Sequence, residues 1–164
     1  MKMPFAAADQ RTARPRPAGL TIRAAGKADA AGLAGLMSEL GYPTRTSDME
    51  MRLDAIFQDP HYRGFVAVID GQICGMIGTC CLKSFEHNNV GGRILALVVS
   101  EKYRGRGVGA ALVRTAETDF INRNVRRIAL NTGLTREKAH QFYESLGYTK
   151  NGFRFLKELE GLAD

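Results

Sequence analysis

The chain has 164 residues, 45% of them hydrophobic and 24% charged, values that are ordinary for one globular domain. Its net charge of +6 is divided between residues 1–18 and the rest of the chain, so charge alone does not indicate nucleic-acid binding. No apolar run approaches the roughly 18 to 20 residues that span a membrane, and the N-terminus lacks the apolar core of a secretory signal, so we expect neither a nucleic-acid nor a membrane partner.

The three cysteines are odd in number, clustered, and not in metal-binding spacing. This pattern predicts neither a disulfide framework nor a metal site and is typical of a reducing cytoplasm. The adjacent Cys80 and Cys81 could suggest a covalent acyl-cysteine route. Neighbouring strand residues face opposite sides, however, and no His/Asp partner lies at a recognisable spacing, so we expect core packing.

The first half of the chain reads as a leader, a strand, two helices and a hairpin. Residues 1–18 are rich in Ala, Pro and Arg, and we expect a disordered basic leader followed by a single domain over residues 19–164. "LTIRAA" predicts a strand, and "KADAAGLAGLMSELG" and "SDMEMRLDAIFQD" have helical spacing. Two β-like runs then meet at Asp70-Gly71, which is a strong hairpin signal.

The second half alternates strands and helices. It holds in order the strand "GGRILALVVS", a helix from about Val108, the strand "RRIALNT", the helix "TREKAHQFYESLG", and a final hairpin around Asn151-Gly152. Hairpins on either side of a βαβ unit predict an α/β fold. We expect a mixed, mostly antiparallel sheet of about seven strands with helices on both faces.

A glycine-rich turn, "YRGRGVG", joins the strand "GGRILALVVS" to the helix that follows it. The first amides of a helix lack internal partners, and with the helix dipole they form an anion site. Gly105, Gly107 and Gly109 let a bulky anion approach the backbone, and Arg104 and Arg106 suit phosphate oxygens. The turn therefore predicts a phosphate or pyrophosphate ligand, the alternative being an ordinary turn with solvated arginines.

Two phosphate-binding motifs compete for this turn. A P-loop would need G-K-[ST], but two alanines follow the last glycine. A dinucleotide fingerprint, G-x-G-x-x-[GA], is met by Gly105, Gly107 and Ala110 inside a βαβ unit. Against it, residues 100–103 separate the glycines from the strand, and no acid follows the next strand, which ends at Asn131. A nucleotide-binding oxidoreductase therefore remains the less favoured alternative.

The stretch "VVSEKYRGRGVGAALV" resembles the acetyl-CoA-binding signature of the GNAT superfamily of N-acetyltransferases, R/Q-x-x-G-x-G/A. Arg104, Gly107 and Gly109 occupy its fixed positions. "AHQFYESLGY" resembles a second family segment, A-x-x-x-Y-x-x-x-G-F/Y, and the predicted element order matches the family from about Leu20 to Leu159. Within the superfamily, "GMIG", "LVV", "AHQFY" and "FRFLKEL" are similar to aminoalkylphosphonate N-acetyltransferases.

The resemblance implies an acyl-CoA N-acyltransferase fold and an enzyme that moves an acetyl group from acetyl-CoA to a primary amine of a small molecule. It implies direct transfer in a ternary complex, without a metal. The residues that it implies for cofactor binding are Leu97, Val98 and Val99 on the strand, Arg104, Gly105, Arg106, Gly107, Val108, Gly109 and Ala110 in the turn, and Asn131 and Tyr143 beyond it. The strand backbone would pair with the pantetheine arm, and an amide near Val99 would stabilise the oxyanion.

Tyr143 is the one catalytic residue that the resemblance implies. The matching tyrosine of the family protonates the leaving CoA thiolate, a task that a phenol can perform. From helical spacing alone, Tyr143 is instead a packing residue beside Phe142. His140, one turn earlier, is expected to line the CoA site rather than to act as a base.

The general base is not evident, because many relatives carry a carboxylate where this chain has Leu95 and Ala96. Glu86 and His87 are the nearest candidates, although an exposed loop histidine is the simpler interpretation of His87. The missing carboxylate leaves a non-catalytic acyl-CoA-binding module as a further alternative.

The acceptor amine has no transferable signature in this sequence. Arg45, Arg52 and Arg93 could bind an anionic amine or could be ordinary surface charges. A homodimer is possible, since a free sheet edge or the splayed sheet could support one.

Overall fold

The computed structural model describes residues 15–159, so most of the expected leader lies outside the described residues. The chain divides into two compact units, residues up to Leu130 and residues from Asn131 onward. The boundaries of a leader at residues 1–18 and a single domain at residues 19–164 stay a prediction. Between residues 15 and 159, no helix is long and apolar enough to cross a membrane.

The first unit contains all five strands assigned within residues 15–159. Its elements are β1 (Thr21–Ala24), α1 (Ala30–Leu40), α2 (Thr46–Gln58), β2 (Tyr62–Ile69), β3 (Gln72–Leu82), β4 (Gly91–Val99), α3 (Val108–Asn122) and β5 (Ile128–Ala129). Short 3-10 helices, Lys27–Asp29 and Glu101–Tyr103, precede α1 and α3. The second unit contains the helix α4 (Glu137–Ser145).

The strands lie in the sheet in their chain order, β1-β2-β3-β4-β5. The first three pairings are antiparallel, and β5 pairs parallel to β4 through Gly92 with Ile128 and Arg93 with Ala129. The predicted mixed, mostly antiparallel sheet is therefore confirmed, with α3 as the crossover of the βαβ unit.

The hairpin between β2 and β3 turns at Asp70 and Gly71, as the sequence predicts. Both have positive φ angles, 50° and 75°, which match the two-residue turn whose twist suits antiparallel strands. Gly41, with φ of 105°, ends α1 as its left-handed C-cap. The helix α2 begins at Thr46, and its N-cap, Arg45, makes no side-chain cap hydrogen bond.

Helices cover both faces of the sheet. Leu33 and Leu36 of α1 pack in one buried cluster with Val66 of β2 and Val98 of β4. The opposite face packs on α3, because a Cβ built at Gly75 would lie 3.1 Å from a methyl of Leu112. The core thus holds β4 firmly between α1 and α3, at the strand that leads into the glycine turn.

The sheet has five strands in the described residues, not about seven. Residues 148–159, predicted as a final hairpin, form no strand, and the side chains of Phe153 and Phe155 are 86% and 92% exposed. A two-stranded hairpin is only marginally stable unless one face is covered, and alternation in the sequence does not show whether a covering element exists. Of the predicted strand "RRIALNT", only Ile128–Ala129 forms a strand.

Candidate functional site

The glycine turn requires glycine at two of its positions. Gly105 has a φ of 73° and Gly107 a φ of 86°, both in the left-handed region. An L-residue with a side chain pays about 1–2 kcal/mol for that conformation. Gly109 is different, because it lies inside the first turn of α3. Two of the three glycines are therefore explained by backbone conformation alone.

The start of α3 has the geometry of an anion site. Gly107 is the N-cap and supplies no side-chain cap, and the first i→i−4 hydrogen bond runs from the Ala111 amide to the Gly107 carbonyl at 3.0 Å. The amides of Val108, Gly109 and Ala110 precede that bond and have no acceptor within the helix. With 15 residues, α3 also places about half a positive charge at this end.

The two arginines of the turn are held by protein contacts. Arg104 donates from Nε to the carbonyl of Val99, at 3.0 Å, and closes the loop back onto the end of β4. The guanidinium carbon of Arg106 lies 5.5 Å from the ring centroid of Tyr103, a cation–π distance. Both side chains thus contact neighbouring residues of the chain, and direct phosphate contacts by them stay a prediction.

The outer edge of β4 is only partly paired. β4 pairs with β3 from Gly91 to Val99, but β5 pairs only with Gly92 and Arg93. Leu97, Val98 and Val99 lie beyond the end of that parallel pairing. An extended chain can add to such a strand edge through main-chain hydrogen bonds. This arrangement suits the predicted pantetheine site.

A β-bulge lies at the centre of β4. The pairing with β3 passes from Ile94 opposite Thr79 to Ala96 opposite Gly78, so Leu95 has no partner residue. Bulges bend a strand and increase its twist, and they are common beside functional sites. The bulge lies two residues beyond Arg93, the last residue of β4 that pairs with β5, and the sequence did not predict it.

Tyr143 and Asn131 both belong to the second unit. On α4, the half-buried Tyr143 ring makes edge contacts with Phe142 and Tyr148, with ring centroids 5.1 Å and 5.6 Å apart. Burial raises the pKa of the Tyr143 phenol above its usual value, so the phenol keeps its proton at neutral pH. A proton donor needs that protonated form. Asn131 follows the end of β5, and both roles stay predictions.

The candidate bases are engaged in local contacts. Glu86 accepts a hydrogen bond from Ser84 Oγ at 2.6 Å, which lowers the pKa of this exposed carboxyl. His87 Nε2 lies 2.6 Å from Arg127 Nη1; because a guanidinium only donates, the imidazole nitrogen is the acceptor there. His140 Nε2 lies 3.0 Å from the Gly133 carbonyl and donates to it. These contacts identify none of the three as the base.

Arg45 and Arg52, which were considered for the acceptor amine, make local contacts. Arg45 pairs with both carboxylate oxygens of Asp48, each at 2.9 Å, and Arg52 donates to Thr44 Oγ1 at 3.2 Å. Arg93 lies on β4 at the pairing with β5. The local contacts of Arg45 and Arg52 favour the interpretation as ordinary surface charges.

The cysteines are buried and form no disulfide. Burial raises the pKa of the Cys74 and Cys81 thiols, which disfavours the thiolate that nucleophilic attack requires. The burial of the cysteines therefore supports a packing role rather than an acyl-cysteine route.

One contact near the site was missed from the sequence. The carboxylate of Glu39, in the last turn of α1, accepts hydrogen bonds from Ser100 Oγ and from the Glu101 amide, at 3.1 Å and 3.0 Å. An acid in the last turn of a helix, where the dipole disfavours it, is the one sequence signal that could have pointed to it.

Known proteins with similar sequences are N-acetyltransferases. The chain is 35% identical to an aminoalkylphosphonate N-acetyltransferase of Salmonella typhimurium over 60% of this chain and 63% of that protein. It is 33% identical to N-acetyltransferase 8 of Rattus norvegicus over 61% of this chain and 45% of that one. The matched regions thus cover less than two thirds of the length of these two relatives.

Solved structures with the same architecture include acetyltransferases. A GNAT family acetyltransferase from Staphylococcus aureus superposes with a TM-score of 0.75 at 28% identity, covering 86% of this chain and 99% of that one. An aminoglycoside N-acetyltransferase, AAC(6')-Iy, in complex with CoA has a TM-score of 0.78 at 19% identity, covering 90% and 99%, and shares the fold. The model of the acetyltransferase (GNAT) family matches residues 33–148, which include β4, the glycine turn and α4. With the family's signature turn at the start of α3 and its second motif on α4, this chain belongs to the acetyltransferase (GNAT) family.

Proposed function

We propose that this protein is an acetyl-CoA-dependent N-acetyltransferase that acts on a primary amine of a small molecule. The observation that carries the proposal is the glycine turn, where two left-handed glycines present the open amides of α3 beside the partly paired edge of β4. An anion site next to a strand edge matches a ligand with a pyrophosphate and an amide-bearing arm.

In this proposal the amides of Val108, Gly109 and Ala110 hold the pyrophosphate. Arg104 and Arg106 belong to the turn that precedes α3, and their positive charges favour an anion electrostatically. The backbone of Leu97–Val99 pairs with the pantetheine arm, and Asn131 bonds the arm from the other side. No metal takes part.

The chemistry follows direct transfer in a ternary complex. The neutral amine attacks the thioester carbonyl carbon, and a backbone amide near Val99 donates to the oxyanion that forms. The carbon–sulfur bond then breaks, and Tyr143 gives its proton to the CoA thiolate. A base or an ordered water takes the proton lost by the amine, since this chain has Leu95 and Ala96 where many relatives carry a carboxylate.

A screen of small amines as acetyl acceptors would identify the substrate, and it begins with anionic and cationic amines. The relative from Salmonella typhimurium is named for aminoalkylphosphonates, so these come first, followed by polyamines and amino acids. A cytoplasmic location and a homodimer remain predictions; the location rests on the three unpaired cysteines.

Calorimetric titration with acetyl-CoA, CoA and NADH in parallel tests the cofactor. We expect acetyl-CoA and CoA to bind and NADH not to bind. Preferential binding of NADH would revive the oxidoreductase alternative, and acetyl-CoA binding without turnover of any amine would favour the non-catalytic module.

Substitutions in the turn locate the binding site. Gly107→Glu should abolish acetyl-CoA binding, because it blocks the turn and adds a repelling charge. Gly107→Ala carries the same backbone strain without the charge, and Gly35→Glu adds the same charge at an open position on α1, where a Cβ meets nothing within 4 Å. Unchanged binding in a folded Gly107→Glu protein would refute the proposed site.

A further inference from the structure

The carboxylate of Glu39, on α1, contacts the loop between β4 and the glycine turn. Oε1 accepts from the Ser100 hydroxyl at 3.1 Å and Oε2 accepts from the Glu101 amide at 3.0 Å. Both donors stand at the start of the 3-10 helix Glu101–Tyr103, whose N-cap Ser100 provides no side-chain cap of its own. The carboxylate from α1 therefore caps this short helix from outside.

The position of Glu39 is unfavourable for its own helix. α1 ends at Leu40, so Glu39 lies in the last turn, where the helix dipole disfavours a negative charge by about 0.3–1 kcal/mol. Its side chain is exposed and adds nothing to the core. The favourable interaction that the Glu39 carboxylate does make is its two hydrogen bonds to a segment about sixty residues away.

The two ends of the contact are held by packing. Leu36, one turn before Glu39, lies in the same buried cluster as Val98, two residues before Ser100. The Ser100 amide also donates to the Cys74 carbonyl at 2.9 Å, which fixes the end of β4 against β3. Loss of the Glu39 carboxylate should therefore leave the fold in place and release only the loop.

That loop leads directly into the anion site. Tyr103 donates its amide to the Ser100 carbonyl at 2.9 Å, and Arg104 follows with its side chain bonded back to Val99. One turn of 3-10 helix connects Ser100 and Glu101 to Arg104 and the left-handed Gly105. The positions of Arg104 and Gly105 therefore depend on those of Ser100 and Glu101. A shift at its start would displace the amides at the start of α3 from their ligand.

We propose that Glu39 is a positioning residue for acetyl-CoA binding, acting through Ser100 and Glu101 on the glycine turn. The inference rests on the proposed function. Glu39 does not touch the cosubstrate in this scheme. Its negative charge on its own would weaken the binding of a pyrophosphate, so a positional role and a purely electrostatic role predict opposite signs when the charge is removed.

The experiment measures acetyl-CoA affinity by calorimetry, and kcat and KM at varied acetyl-CoA, for three variants of the full chain. Glu39→Gln keeps one acceptor oxygen, Glu39→Ala keeps none, and Ser100→Ala removes one of the two donors while it retains the charge. Glu50→Gln is the matched control, because Glu50 is an exposed acid on α2.

We expect Glu39→Gln to raise the Kd and the KM for acetyl-CoA about threefold to tenfold, with a larger rise for Glu39→Ala. Ser100→Ala should weaken binding in the same direction, and kcat at saturating acetyl-CoA and the KM of the amine should change by less than about twofold. Glu50→Gln should leave the Kd unchanged or slightly lower.

Unchanged or tighter acetyl-CoA binding by folded Glu39→Gln and Ser100→Ala would overturn the inference while wild-type binding still supported the proposed function. A loss of kcat with unchanged affinity would overturn it as well. If the wild-type protein does not bind acetyl-CoA, the proposed function itself fails, so the two failures are distinguishable.

Discussion

Adding one methyl group at Gly92 should destabilise the protein, whereas the same change at its neighbour Gly91 should not. A Cβ at Gly92 would lie 2.8 Å from Cε1 of Phe120 and 2.9 Å from Cγ1 of Val125, closer than carbon atoms approach in proteins. Both neighbours are buried, so neither can move aside easily. At Gly91 the nearest heavy atom is the Leu82 carbonyl oxygen at 3.8 Å, an ordinary contact.

The magnitude follows from two opposing effects. Replacement of glycine by alanine inside a strand removes an entropic cost of about 0.5–1 kcal/mol, and overpacking a rigid core costs about 1–3 kcal/mol. We therefore expect Gly91→Ala to be neutral or slightly stabilising. Gly92→Ala should lose about 1–2 kcal/mol, which corresponds to a fall in Tm of about 3–6 °C for a domain of this size.

Urea unfolding and thermal unfolding of both variants measure the difference. In a Phe120→Leu background, the smaller side chain should relieve the clash, so the cost of Gly92→Ala should fall by at least about 0.5 kcal/mol. Equal stability of Gly91→Ala and Gly92→Ala would refute the close approach of α3 to β4 at this position.

Two further predictions concern the proposed acid and an ion pair between the half-exposed Arg23 and Asp29. Asp29 accepts two bonds of 2.8 Å from the guanidinium of Arg23, which lower the pKa of this nearly buried carboxyl, so Asp29→Asn should cost about 1.5–3 kcal/mol at pH 7 in urea unfolding. Because the pKa of Asp29 is lower in the folded state, this stabilisation is present above pH about 4 and is lost as pH falls through the folded pKa. The free energies of unfolding of the wild type and Asp29→Asn should therefore converge in acid. A difference that stays constant with pH would contradict the pairing. Tyr143→Phe should lower kcat more than it changes the Kd for acetyl-CoA, whereas equal losses in both would assign Tyr143 a packing role.

Local chemistry made the turns predictable from sequence. The hairpin at Asp70-Gly71 depends on which residues tolerate a positive φ, which is a property of the residues themselves. At Gly105 and Gly107 the sequence indicated only that a missing Cβ leaves the backbone open, and their left-handed conformations were not predicted. The helical spacing that begins at Val108 likewise predicted the start of α3, and with it the position of the open amides. The candidate anion site was therefore accessible to sequence reasoning.

Features that depend on distant partners were not predictable in the same way. The bulge at Leu95 arises from the register between β3 and β4, which no run of residues on β4 reveals. The capping of Ser100 by Glu39 joins segments about sixty residues apart. The final hairpin failed for a related reason, because the alternation around Phe153 and Phe155 does not show whether any element covers their apolar side.

The order of the strands has a consequence for how the chain folds. The antiparallel pairings β2-β3 and β3-β4 join strands through short connections, whereas β1 reaches β2 across α1 and α2, and β5 reaches β4 across α3. The first contacts close shorter loops at lower entropic cost, so we expect the β2-β3-β4 meander to form early and β5 to dock late. With two residue pairs to hold it, β5 should also open at a lower free energy than the centre of the sheet. The cleft proposed for the pantetheine arm thus lies at the part of the sheet that closes last and reopens first.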